Sequence, residues 1–369
     1  MTRHAISAGR ARAHQSVARS AASSAAATLL LLLGVVAAPA QAEPASSSAI
    51  VTYAGRDRQR MLEEGAKKEG ELLLYTTGTQ IAPLMNRFSQ KYPFIRLKFY
   101  RAGGSEVAQR VTIEYQARFF AVDAFELGSD SLLVPRAHGI LQPFASPEMA
   151  AYPPDAIEAQ RLWVSARESY GGLSYNTRLV APEQAPKTWP DLLKPQYKGR
   201  MAFPGSTTTS AEWTGILLTT YGEDFVRKLG AQDIRIYKMT ARALQNLVTS
   251  GEVAIAARAS NAHVAEDRRK NAPVAWVAPG PVPVTATVTA VAARPPHPHA
   301  AMLMVDFLLS EEGQKMYQEI GYNSARRGLE DRDTPKEKIY FTQRPTFVED
   351  FEKWGELFRD VFVNRRRPG

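Results

Sequence analysis

Three short runs of glycine and hydroxyl residues are the parts of this sequence best suited to holding a ligand. They are Thr77-Gly78-Thr79, Arg101 to Ser105 (with Gly103 and Gly104), and Gly128-Ser129-Asp130. Glycine admits close backbone approach, and serine and threonine offer short polar contacts. A fourth run, Ser206-Thr207-Thr208-Thr209-Ser210, opens a helical pattern. Free N–H groups and the helix dipole favour negative charge at such a place. The same residue types also serve simply as helix caps. Agreement between several loops, rather than any single one, points to a binding site.

Catalytic constellations are missing. The sequence has no G-x-S-x-G elbow, no G-x-G-x-x-G, no H-E-x-x-H and no EF-hand loop. Gly65 to Gly70 has the glycine spacing of a phosphate-binding loop but continues Glu71-Leu72 instead of Lys-Ser/Thr. His297-Pro298-His299 precedes a helical pattern, where proline at the first helical position needs no metal to explain it. The pairs Glu63-Glu64 and Glu311-Glu312 sit beside basic residues and read as solvated helix faces. Cysteine is absent, which excludes disulfides, thiolate metal sites, a thiol nucleophile and a lipid-modified N-terminal cysteine. No basic stripe interleaved with aromatics suggests nucleic acid, and Arg365-Arg366-Arg367 reads as a tail. Binding without catalysis, and without a metal or cofactor, is therefore expected.

The elements that must position these loops follow one another in a regular order. A helical pattern from Arg56 to Lys68 precedes the strand-length run Glu71 to Tyr75, and helical spacing resumes at Ile81, Leu84, Met85 and Phe88. Ile95, Leu97 and Phe99 alternate as a strand, a helix restarts at Val107, and Val122 to Leu127 is a third strand. Strand, loop and helix repeated in this way predict a mostly parallel sheet with ligands at the carboxyl ends of its strands. Ser169 to Thr177 reads as an extended crossover into a second α/β unit. There Arg200 to Phe203 and Glu252 to Ala257 are strands, with helices over 211–221 and 242–250. Val284 to Ala293 is extended again, and a helix spans Pro298 to Leu309. Phe347, Phe351, Trp354, Phe358 and Val361 form one apolar stripe on a last helix.

With 369 residues, 44% of them hydrophobic and 22% charged, the composition is globular and long enough for two domains. The formal charge is +9, but Arg3, Arg10, Arg12 and Arg19 lie in a start segment without acids, and beyond it the charge falls to +5. That permits an anionic ligand without demanding nucleic acid. The start segment runs into an apolar stretch, Thr28 to Ala38, and then Ala40-Gln41-Ala42, a small-x-small cleavage pattern. The apolar run is shorter than the roughly 20 residues that span a bilayer. Residues 1–42 are thus expected to be a signal peptide, leaving a soluble periplasmic protein beginning at Glu43.

Four passages resemble the periplasmic substrate-binding proteins of ABC importers, in the type 2 group of ferric-iron binders and their organic-anion relatives. They are Ala66 to Leu72, Thr188 to Gly199, His297 to Gln314, and Gly321 to Arg326. The resemblance covers about Leu62 to Phe362. It implies an α/β fold of two lobes, each a mostly parallel sheet flanked by helices, with a ligand cleft between them. Lobe 1 would take 43–172, lobe 2 173–284, and 285–369 would return to lobe 1 with the last helix near the hinge. Crossovers are placed near Ser169–Thr177 and Val282–Ala290. By position the resemblance adds Ser206 to Ser210 and Arg258 to Asn261, naming Arg258 and Asn261, to the three early loops. It implies a monomer that delivers its solute to an ABC permease and its ATPase. Ferric-iron members carry adjacent tyrosines after the strand ending here at Ala257, whereas this chain has Arg258-Ala-Ser-Asn-Ala-His263. Fe(III) favours anionic oxygen ligands. Tyr75, Tyr100, Tyr170 and Tyr175 leave the iron reading open, while Arg101 and Arg258 fit a carboxylate, phosphate ester or phosphonate. A sensor subunit that presents its ligand to a membrane receptor is the other alternative.

Overall fold

The computed structural model describes residues 48–364, apart from Thr79, Arg332 and Pro345. The expected signal peptide and its cleavage site lie outside the described residues, as does Thr79. The first half runs α1 (Ser48–Thr52), α2 (Arg58–Glu69), β1 (Glu71–Thr76), α3 (Ala82–Lys91), β2 (Arg96–Arg101), α4 (Gly104–Gln116), β3 (Ala124–Gly128), α5 (Leu133–Ala137), β4 (Leu141–Gln142) and β5 (Trp163–Asn176). The second half runs β6 (Met201–Pro204), α6 (Thr207–Tyr221), α7 (Glu223–Gly230), β7 (Arg235–Tyr237), α8 (Ala241–Ser250), β8 (Ile255–Ser260), α9 (Asn261–Arg269) and β9 (Val274–Val277). The chain closes with β10 (Val282–Ala292), α10 (Pro298–Leu309), α11 (Glu311–Glu319), β11 (Lys338–Ile339) and α12 (Phe347–Phe358), followed by a π-helical turn over Arg359–Val363.

The main strand order is β2-β1-β3-β10-β5-β8-β6-β7. Within each half the strands that lead into helices are parallel: β1 with β2 and β3, and β6 with β7 and β8. The long strands β5 and β10 run antiparallel to each other and join the two halves. Their pairing shifts register between Thr287 and Val288, and the pairing of β5 with β8 shifts between Gly172 and Ser174. These two lobes give the α/β architecture expected from the alternation of apolar strands and amphipathic helices.

Apolar patterning accounts for the layers. Leu72 and Leu74 of β1 and Leu84, Met85 and Phe88 of α3 are buried in one core, together with nearly all of α10. The start of α10 is held by carboxylates from elsewhere. Asp123 accepts the His297 N–H at 2.7 Å and faces its Nδ1 at 3.0 Å. Glu69 accepts the N–H groups of His299 and Ala300 and faces the His299 ring. The histidine pair is therefore engaged in securing a helix N-terminus, where negative charge is favourable.

The last helix departs from expectation. Its aromatic stripe packs on the second lobe: the Trp354 ring lies against Gly215 of α6, and Phe358 stacks beside Phe203 and Trp213 at 5.2 and 6.5 Å. Phe203 and Trp213 offer that stripe an aromatic surface, which draws it across from the first lobe. The strand expected over 252–257 lies at 255–260 instead. Gly251 ends α8 in the left-handed region, and residues 252–254 make the return to the sheet.

Candidate functional site

Register locates the meeting point of the lobes. The carboxyl end of β3, Gly128, stands opposite Thr287, which itself pairs with Arg167. The carboxyl end of β8, Ser260, stands opposite Gly171. Both lobes thus aim their strand ends at one stretch of β5, residues 167–171, roughly 13 Å long at about 3.3 Å per residue. Alternation puts Arg167, Ser169 and Gly171 on one face, with Thr287 and Thr285 beside them on β10.

Polar contacts line that face. Arg167 Nε donates to Glu126 Oε1 at 2.7 Å, and its guanidinium lies 4.1 Å from the Tyr322 ring centroid. Glu126 is wholly buried and also accepts from Thr76 Oγ1. The hydroxyls of Ser169 and Ser260 are 3.1 Å apart. The Arg258 guanidinium lies flat against Gly171, so that a Cβ there would stand 2.5 Å from its Cζ and Nε. Only glycine leaves that space. A cavity of about 380 Å³ opens on this floor, lined by Ser169, Ser260, Thr285 and Thr287 and walled by Gln80, Tyr322 and α9.

Its charges are unevenly matched. Glu168 is paired with Lys338 at 3.2 Å, and Glu266 with Lys270 at 2.6 Å. Arg269, packed over Gly321, has no ion pair with any described residue. Burial, and then Arg242 and Arg258, lower the His263 pKa, which favours the neutral ring. Arg258 is buried, its Nε meets no described acceptor, and its nearest carboxylate is Glu212 at 4.0 Å. Burial lowers the Arg258 pKa. Burial also pushes Glu212 up to about 7, against the pull of Arg258 and with help from Asp130 across the cleft.

The residues singled out from sequence fall into several places. Thr77 donates its N–H to Glu126 O, and Gly78 to Thr76 Oγ1. Gly103 precedes α4 in an extended conformation, and Gly104 packs against Ser131 with Thr77 nearby, so the three early loops do converge. Ser105 and Asp130 line a neighbouring groove against α4. Ser129 is occupied by Thr342 at 2.7 Å, and Asp130 accepts the Ser131 N–H. Arg101 ends the outermost strand, exposed, without a polar partner among the described residues and three strand positions from β10.

The second-lobe residues divide similarly. Ser206 precedes α6 without capping it by its side chain, and Thr208 and Thr209 continue the first turn. Thr207 and Ser210 line a different cavity, beside β7 and α12. Asn261 is buried and its Oδ1 holds the Tyr170 N–H at 2.8 Å, a structural task. Three tyrosines donate to carboxylates: Tyr75 to Glu114, Tyr100 to Glu106 and Tyr170 to Glu168. Burial raises the pKa values of Tyr75, Tyr170 and Tyr175, that of Tyr75 to about 12. Phenolate is therefore disfavoured at all three. Among the described residues no group of three or more His, Asp or Glu side chains is placed to hold a metal ion.

Arg167, Thr285, Thr287 and Arg269 were not singled out from the sequence, although Thr285, Thr287 and Thr289 alternate visibly along one run.

Comparison with known proteins agrees with this architecture. No curated protein matches the sequence. The FutA (IdiA) structure from Trichodesmium, in complex with iron and citrate, matches with a TM-score of 0.69 at 18% identity, covering 79% of this chain and 99% of that one. Iron-bound HitA from Pseudomonas aeruginosa matches at 0.62 and 23% identity, with coverages of 79% and 99%. AfuA from Actinobacillus pleuropneumoniae, with fructose-6-phosphate bound, matches at 0.60 and 20%, with coverages of 80% and 99%. At these identities the likeness is one of fold, that of the two-lobed periplasmic binding proteins. The model of the bacterial extracellular solute-binding proteins matches residues 134–343, more than half of the sequence. From the crossing strands to the cleft they floor, this chain belongs to the bacterial extracellular solute-binding protein family.

Proposed function

We propose that the protein is the periplasmic solute-binding subunit of an ABC importer, taking a small anion between its lobes. The observation that carries the anion reading is the charge balance of the inter-lobe cavity. Its carboxylates Glu168 and Glu266 are matched by lysines, while Arg269 is unmatched and Arg258 lies close behind with a donor to spare. Hydroxyls of Ser169, Ser260, Thr285 and Thr287 supply neutral contacts. A carboxylate, phosphate ester or phosphonate suits such a set, because guanidinium donors bind these groups in pairs. The ligands named for FutA and AfuA, citrate with iron and a sugar phosphate, support the same class. Closure of the lobes would complete the site, with Thr77 and Gly104 on one side and Arg258 on the other.

A thermal-shift screen of organic acids, sugar phosphates, phosphonates and Fe(III), followed by calorimetry, tests this. A ligand at a hundred times its Kd adds about 2.7 kcal/mol to stability. Arg269→Ala is expected to weaken the anion found by about 10–100-fold, since a charge-assisted hydrogen bond contributes about 1.5–3 kcal/mol. Stabilisation by Fe(III) alone, with no anion active, would replace the anion reading by the iron one.

A further inference from the structure

Glu168 lies in the stretch of β5 where the lobes meet, and its carboxylate is buried and fully engaged. Oε1 accepts from Ser165 Oγ at 3.2 Å and from the Tyr340 hydroxyl, and Oε2 from Tyr170 at 3.0 Å and Lys338 at 3.2 Å. A buried carboxylate needs several such donors, because taking its charge out of water costs more than one contact returns. Asn323 grips the backbone of the same residue. Glu168 donates its N–H to Asn323 O at 2.8 Å, and Asn323 Nδ2 donates to Glu168 O at 3.0 Å.

Two of the side-chain donors come from one late stretch. β11 pairs with the start of β10, Lys338 opposite Val282, and this brings Lys338 and Tyr340 to Glu168. The next two residues hold other parts of the molecule. Phe341 is buried and packs on the Trp354 ring at 4.7 Å, and Trp354 in turn lies against Gly215 of α6 in the second lobe. Thr342 shares a buried hydrogen bond with Ser129 at the end of β3 in the first lobe, at 2.7 Å. Three consecutive residues thus engage the joining strand, the second lobe and the first lobe. Glu168, opposite Ala286, also lies between the two shifts in register. The Tyr340 contact therefore falls on the part of β5 that a rotation of the lobes would twist.

We infer that Tyr340-Phe341-Thr342 is a junction that couples rotation of the lobes to the C-terminal part of the chain. A rotation about β5 and β10 strains at least one of its three contacts. The junction resists that rotation in the free protein and so sets how readily the lobes close, without touching a solute. It depends on the two-lobed fold and not on which solute is bound.

Hydrogen–deuterium exchange on the purified full chain, without added solute, tests it. Tyr340→Phe removes one donor to Glu168, and Thr342→Val removes the bond to Ser129 but none to β5. Tyr340→Phe is expected to speed exchange of the β5 amides over 164–170 by about 10–100-fold, because the lost bond is to a charged group. Thr342→Val should speed the same amides by about 10-fold, while amides of β1 and β8 exchange as in the wild type. If Thr342→Val leaves 164–170 at the wild-type rate, Tyr340 is only a local anchor and the junction is refuted. Equal acceleration throughout both lobes, matching a loss of global stability in urea, also refutes it. Neither result bears on the anion reading of the cleft.

Discussion

Glu212 makes stability depend on pH in a direction opposite to that of most carboxylates. Its ordinary value of 4.5 is raised to about 7, first by burial and then by Asp130, with Arg258 only partly opposing them. Below 4.5 the group is protonated in both the folded and unfolded chain, and it contributes its full stabilisation there. As pH rises, the unfolded chain releases the proton first and is stabilised relative to the folded one. The contribution is therefore lost between 4.5 and about 7, and amounts to about 3 kcal/mol when complete. Glu212→Gln mimics the neutral form at every pH. Urea unfolding of both proteins across that window should show the wild type losing about 3 kcal/mol against the variant. Parallel stability curves would mean that Glu212 titrates normally and that the carboxyl is not held in a dry setting.

Three other outcomes follow from the same structure. His297, whose pKa is raised chiefly by its hydrogen bond to Asp123, stabilises the fold below its ordinary 6.5, and that contribution disappears as pH rises through its higher folded value. His297→Ala should thus cost more in acid urea titrations than in alkaline ones, and an equal cost at both ends would contradict the pairing. Trp354→Ala should cost about 3–5 kcal/mol by leaving a hole against Gly215 and Phe341, measured by chemical unfolding. Gly171→Ala forces the Arg258 guanidinium aside and should cost about 1–3 kcal/mol as overpacking. A neutral result would show that the arginine is free to move.

Legibility differed between the frame and the site. The helix at Pro298–Leu309 was readable to the residue, because Pro298 marks its start and a continuous apolar run follows. The third early strand was readable from an apolar run ending at a glycine and hydroxyl loop, whereas the first crossover was read only in its second half, since β5 already begins at Trp163. The burial of Arg258 was not readable, because the alanine-rich run around it has no periodicity to fix a boundary. The destination of the aromatic stripe in α12 was hidden for a related reason. A stripe announces that it needs an apolar partner but does not say which lobe provides it. The cleft floor was least visible: Arg167, Thr287 and Arg269 come from three elements far apart in the chain, and only register brings them together.

The two irregularities in register, an extra residue on β5 opposite Thr287/Val288 and one on β8 opposite Gly172/Ser174, flank the stretch where the lobes meet. A bulge bends a strand and raises its local twist without dissolving the ladder around it. The link between the lobes is therefore a pair of hydrogen-bonded strands with a register break inside it and a second where β5 meets β8, not a length of coil. A closing rotation of the lobes would twist these paired strands, whose hydrogen bonds are in place without a solute. In such a closure little chain entropy would remain to be lost, leaving the solute's contacts to set affinity and the choice between solutes.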